Sequence, residues 1–168
     1  MTMKRQLQAG LALMGYVMTV AVTAAEPCPD GAAAQAAVER YLSAMQNHQF
    51  EAAYDTVTAR MTDGKERGPW AALQKMFYEG GEVNIFGIDI RPAVATADDP
   101  ECVDEALVPN VLQSRDKFNN QGITEFEVYT VVHNDGEWRV DRQETLFDQA
   151  DVDRYFPGET LPELRDQY

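Results

Sequence analysis

Apolar residues recur at helical spacing three times in the first half of the chain, and at alternate positions afterwards. Ala34, Val38, Tyr41, Leu42 and Met45 lie three or four apart, the period of a helix packed on one side. Asp30 stands just before Ala32-Ala33-Ala34, where a short acidic side chain can cap the first turn. Asn47-His48-Gln49 interrupts the stripe. Phe50, Ala53, Tyr54, Val57 and Met61 form a second one, ended by Thr62-Asp63-Gly64-Lys65. Gly68-Pro69 opens a third helix, since proline suits a first helical turn. Its buried face is predicted to be Trp70, Leu73, Met76 and Phe77, with a stop at Gly80-Gly81.

From Glu82 the period becomes two. Val83, Ile85, Ile88 and Ile90 read as a strand, but they fall on opposite pleats unless a bulge at Gly87 shifts the register and bends the chain. Ala106 to Lys117 is a second strand. Ile123 to His133 is a third, with Phe126, Val128, Thr130 and Val132 on one face. Asn134-Asp135-Gly136 is a hairpin turn, followed by a fourth strand at Trp138–Arg142. A three-residue loop with a glycine bulge pairs Val132 with Trp138, whereas a two-residue Asp-Gly turn pairs His133 with Trp138. The first is the expected register, because it gathers Phe126, Val128, Val132, Trp138 and Val140 on one apolar face. After Leu146 the pattern loosens. One helical turn is predicted within Asp151–Phe156, halted by Pro157-Gly158, and a polar tail runs to Tyr168.

Helices first and a four-stranded antiparallel sheet after is an α+β order. Val38-Glu39-Arg40-Tyr41-Leu42-Ser43-Ala44-Met45, then Phe50-Glu51-Ala52-Ala53-Tyr54, and the closing hairpin Tyr129–Asp141 together resemble the nuclear transport factor 2-like superfamily, also called cystatin-like or SnoaL-like. The resemblance covers about residues 30 to 147 and specifies fold rather than function. It implies three N-terminal helices packed on a strongly bent four-stranded antiparallel sheet, a cone with an apolar pocket. It also implies a range of roles. Some members are isomerases or dehydratases using a pocket-facing Asp, His or Tyr; many others only bind ligands or proteins, often as homodimers.

Residues 1–25 read as a separate element. Lys4 and Arg5, the uncharged run Leu11–Val22 and Thr23-Ala24-Ala25 ahead of Glu26 follow the order of a secretory signal peptide. The run is short of the roughly 18 residues that a membrane span needs. The chain therefore divides into a signal peptide at 1–25, an α+β domain at 26–147 and a C-terminal extension at 148–168, and the mature protein is expected in the periplasm or secreted. The whole chain carries 14 Lys+Arg against 28 Asp+Glu, a net charge of −14; Lys4 and Arg5 are the only charges in the signal, so its loss leaves −16. Such a balance repels phosphate backbones, and nucleic-acid binding is not expected. Cys28 and Cys102 are the only two cysteines, and an even pair in an exported chain points to a disulfide. Glu26-Pro27 before Cys28 matches a lipid-attachment site poorly.

The candidate chemistry is sparse. Tyr41, Tyr54, Trp70, Phe77, Phe126 and Trp138 are the candidates to line a ligand pocket, although aromatic stripes more often form plain core. Tyr54 is the best candidate for a polar contact, through its hydroxyl. His48 and His133 read as surface residues near turns. Glu125 and Glu127 alternate with Phe126 and Val128, and Asp89 and Arg91 with Ile88 and Ile90, so both sets are expected on a solvated face. Asp98, Asp99, Glu101, Asp104 and Glu105 lack the ligand order of a calcium loop. No metal motif, phosphate loop or Ser/His/Asp set is visible, so no catalytic residue, metal or cofactor is assigned. The leading reading is an exported non-enzymatic domain that binds a small apolar ligand or a protein partner. The alternatives are an isomerase or dehydratase using a pocket carboxylate or tyrosine, and an interaction module of an envelope assembly. An Asp, Glu or His directed into the cone is what the enzyme reading requires.

Overall fold

The structure, a computed structural model, describes residues 24–162. The signal-peptide reading of residues 1–23 and the end of the polar tail lie outside them. Helix α1 (Ala32–Gln46), α2 (Phe50–Tyr54) and α3 (Arg67–Gly81) precede strands β1 (Asn84–Ile90), β2 (Glu105–Arg115), β3 (Ile123–Asn134) and β4 (Glu137–Thr145), and α4 (Gln149–Tyr155) follows. The strands form one antiparallel meander in the order β1-β2-β3-β4. Helix α1 lies across all four. Its whole predicted stripe, Ala34, Val38, Tyr41, Leu42 and Met45, is buried. Gly31 rather than Asp30 occupies the N-cap, and no side chain caps the helix there.

The second helix is shorter than its stripe. After Tyr54 the chain leaves helical geometry and lays Thr56–Thr58 along β4: Thr58 N–H donates to the Val140 carbonyl, and Val140 N–H donates to that of Thr56. Val57 is buried there through sheet-like contact rather than on a helix. The third helix departs further. It rests on α2 and buries only Trp70 and Ala71, while Met76 and Phe77 are 58% and 57% exposed. Its apolar stripe is real, but no described element covers Met76 and Phe77, while Tyr78 in the last turn packs edge-on against Phe50.

In β1 the bulge falls beside Gly87. Ile85 pairs with Ser114 and Gly87 with Gln113, leaving Phe86 as the extra residue. The shift brings Ile85, Ile88 and Ile90 to the same core. A Cβ on Gly87 would stand 2.9 Å from Gln113 Cβ, so a larger residue there requires Gln113 to shift.

The hairpin register differs from the expected one. Asp135 and Gly136 both adopt positive φ (53° and 83°), His133 pairs with Trp138, and Asn134 with Glu137. This is the two-residue turn, whose left-handed pair matches the twist of the flanking strands. The bulge sits farther along β4 instead: Val131 pairs with Val140 but Thr130 with Arg142, so Asp141 is extra. Thr58 Oγ1 donates to Asp141 Oδ1 at 2.7 Å and Arg60 approaches its other oxygen, which holds the bulge in place. Glu127, Tyr129 and Val131 consequently face the helices with Trp138 and Val140. Phe126 and Val128 face the other way, into a second core with Leu146, Val152 and Phe156. The C-terminal chain thus covers the outer face of the sheet.

Cys28 and Cys102 are bonded, with Cα atoms 5.7 Å apart. The bridge ties the N-terminal segment to the loop before β2. Pro27 pairs with Val94, and Val94 with Leu107, so residues near 27 and 94 continue the sheet beyond β1.

Because Trp138 is only half-buried and stacks beside exposed His133 at 5.2 Å, Trp138→Ala is expected to cost about 2 kcal/mol, less than the 3–5 of a fully buried indole. Urea melts check this, and a loss above about 3 kcal/mol would mean that the indole reaches deeper into the core than its exposure says.

Candidate functional site

Four of the six aromatic positions, Tyr41, Tyr54, Trp70 and Trp138, belong to the main core, whereas Phe77 and Phe126 lie outside it. Tyr41 is core, edge-on to Tyr129 with ring centroids 6.1 Å apart. Trp70 is buried against Tyr54, whose hydroxyl donates to the Lys65 carbonyl at 2.9 Å and so is already engaged. Phe77 is exposed. Phe126 belongs to the opposite face of the sheet, 5.0 Å from Phe156. Trp138 borders a separate groove with Arg40, Asp55, Thr56 and Arg139. Phe126 leaves the set because β3 is buried on both faces and its parity differs from the predicted one, and Phe77 because that side of α3 is exposed.

That parity brings a carboxylate to the helix-covered side of the sheet. Glu127 is 1% exposed, not solvated. Its cross-strand partner Asn110 donates from Nδ2 to Glu127 Oε2 at 3.0 Å, and the Tyr129 hydroxyl donates to the same oxygen at 2.8 Å. Gln143, from β4, donates from Nε2 to Oε1. Burial pushes the Glu127 carboxyl up, the three donors oppose that, and the charge of Glu125 adds to it. Glu125 itself is half-buried and raised by desolvation. Burial, and then the negative charge of Glu127, raise the Tyr129 hydroxyl well above its usual range and that of Tyr78 to about 12. Tyr41 is raised too, by burial first and by Tyr78 and Glu127 after it. Asn110 Oδ1 is buried without a hydrogen-bond partner among the described residues.

The sequence did contain a signal for this cluster. Glu127 shares parity with Tyr129 and Val131 as well as alternating with Phe126 and Val128, and a strand apolar on both parities is a strand buried on both faces.

The surface carries a different feature. Between α2 and α3 lies a groove of about 570 Å³, lined by Phe50, Ala52, Gly68, Ala71 and Ala72, with His48, Arg67 and Lys75 among the polar residues around it. His48 takes φ 57° in the tight link between α1 and α2 and stacks on Phe50 at 5.6 Å. Arg67 is tied to Asp55 by two bonds near 3 Å and to Glu51. Neither Glu127 nor any of the six aromatic candidates lines this groove. A third groove, about 450 Å³, runs between α1 and β1 past Glu39, Ser43, Ile88 and Ile90.

Asp99 organises the acidic loop. Its Oδ2 accepts the backbone N–H groups of Asp104 and Glu105, which hold its carboxyl below the usual range. Among the described residues no group of His, Cys, Asp or Glu has metal-binding geometry, and no helix is long and apolar enough to cross a membrane.

No protein-family model matches the chain, and no curated protein sequence does. Solved structures do. A ketosteroid isomerase-like protein from Erwinia carotovora atroseptica aligns with TM-score 0.51 and 18% identity, over 71% of this chain and 98% of that one. A SEC-C motif containing protein from Rhodopseudomonas palustris aligns with TM-score 0.50 and 11% identity, over 67% and 77%. A protein from Bdellovibrio bacteriovorus aligns with TM-score 0.46 and 13% identity over 65% of this chain; that match spans 38% of its own length. The fold is the nuclear transport factor 2-like, or cystatin-like, α+β fold. At these identities the likeness is one of fold.

Proposed function

We propose that the protein is an exported, non-enzymatic domain that binds a small apolar ligand in the groove between α2 and α3. The observation that carries the reading is the separation of the groove from the buried acid–base group. The groove is open, largely apolar and of a size that suits a small molecule. Glu127, in contrast, has both oxygens engaged by the chain's own donors. Native mass spectrometry of the mature protein from the cell envelope tests it. The expected result is a retained small molecule in the wild type that Ala72→Trp, which fills the groove from an exposed position, no longer carries at unchanged melting temperature. A wild type at its bare mass, or a variant that keeps the ligand, overturns the proposal.

The burial of Glu127 under the helices is the observation behind a second reading, in which that face opens and this carboxyl meets a substrate as acid or base. Glu127→Gln separates the two. It leaves ligand retention unchanged if the α2–α3 groove is the site, and lowers it if Glu127 is the ligand's polar contact.

A further inference from the structure

The segment around the expected cleavage bond is built into the folded domain. Ala25 N–H donates to the Arg154 carbonyl at 3.0 Å, and the Glu26 carbonyl accepts from Ala95 N–H at 2.8 Å. Pro27 pairs with Val94, Cys28 N–H donates to the Ala93 carbonyl at 2.9 Å, and the Cys28 side chain is bonded to Cys102. Hydrogen bonds therefore hold both sides of the Ala25–Glu26 bond, and a covalent crosslink stands two residues beyond Glu26. A protease must take the chain around a scissile bond into its own cleft as an extended, unpaired strand. A segment whose backbone groups are already committed is cut only when it opens.

We propose that this segment is a substrate for signal cleavage only before the domain folds, so that hydrolysis of Ala25–Glu26 must precede closure of Cys28–Cys102. The inference rests on the export reading given above. Cleavage adds water across the peptide bond, its hydroxyl going to the Ala25 carbonyl carbon and a proton to the Glu26 nitrogen. Closure is thiol–disulfide exchange with an oxidising disulfide of the compartment, which takes two electrons from the cysteine pair and leaves as a dithiol. Until the bridge forms, residues 25–28 are an edge segment held by a few backbone bonds, the kind that opens most readily. Once it forms, Cys28 cannot leave Cys102, and the chain on the Glu26 side of the bond is tethered to the domain two residues away.

The test uses the full-length precursor in detergent with a purified signal peptidase, comparing the oxidised wild type with Cys28→Ser/Cys102→Ser, and N-terminal sequencing to identify the bond cut. The double variant is expected to be cut after Ala25 at least about tenfold faster, and unfolding the oxidised wild type in urea before a brief dilution pulse should restore most of its rate. Equal rates for folded oxidised wild type and variant overturn the inference while leaving export intact. A urea-unfolded chain that is not cut after Ala25 overturns the export reading and the inference together.

Discussion

Glu127→Ala is expected to lower stability by about 2–4 kcal/mol, the loss that follows when the shared acceptor of buried neutral donors is removed. The variant strands two buried donors, Asn110 Nδ2 and the Tyr129 hydroxyl, while the exposed Gln143 can turn its amide to water. Each buried donor left unpaired costs about 1–3 kcal/mol. Glu127→Gln should behave oppositely. It keeps the shape and an acceptor oxygen for Asn110 Nδ2 and the Tyr129 hydroxyl, and its amide N–H falls beside Gln143, which is exposed and can turn its own amide oxygen toward it. The two variants also separate by pH. The folded-state pKa of Glu127 is raised, so its contribution is most favourable below about pH 4.3, where the carboxyl is protonated in the unfolded chain as well. That contribution is lost as pH rises through the folded-state value. The stability of Glu127→Gln relative to wild type should therefore improve from pH 4 to pH 7.5 in urea melts. A gap that grows toward acid would mean that the fold favours the ionised carboxylate.

Breaking Cys28–Cys102 is expected to cost about 4 kcal/mol. The bridge closes a loop of 74 residues, more than half of the described chain, and the chain-entropy account gives that magnitude for a loop of such length. It is a large part of the roughly 5–15 kcal/mol by which a domain is stable. Reduction also releases Cys102 in a left-handed conformation, φ 54°, which a non-glycine residue adopts only when its surroundings impose it. Urea unfolding with and without reductant measures the effect as a shifted midpoint. An unchanged midpoint would mean that the N-terminal segment is held by its backbone pairing alone and that the reduced chain remains just as constrained when unfolded.

Much of this architecture was legible in the residues. The α1 stripe, the order of the four strands, the bulge beside Gly87 and the cysteine pair each follow from a local rule that the surrounding structure does not override. Three of the readings that failed did so for reasons of context. A stripe such as Leu73, Met76 and Phe77 states that a helix face is apolar, not that another element stands opposite it, and among the described residues none covers Met76 and Phe77. The hairpin offered two registers differing by one residue. The sheet adopts the tighter turn and moves the bulge to Asp141, where Thr58 and Arg60 hold it. Glu127 was misplaced because the second apolar face of β3 is buried by a seven-residue helix, α4, whose own pattern is too short to announce where it docks. The site was less legible than the fold because burial, unlike periodicity, depends on elements far apart in the chain.

The two-sided cover over β3 also has a kinetic meaning. From Phe126 to Thr130 every side chain is buried, alternately against α1 and against the segment ending at Phe156. Backbone amides in such a strand have no local opening through which water can reach them, so they exchange hydrogen only when the whole domain comes apart. The slowest-exchanging amides of β3 would then read the global unfolding free energy of the native protein without denaturant.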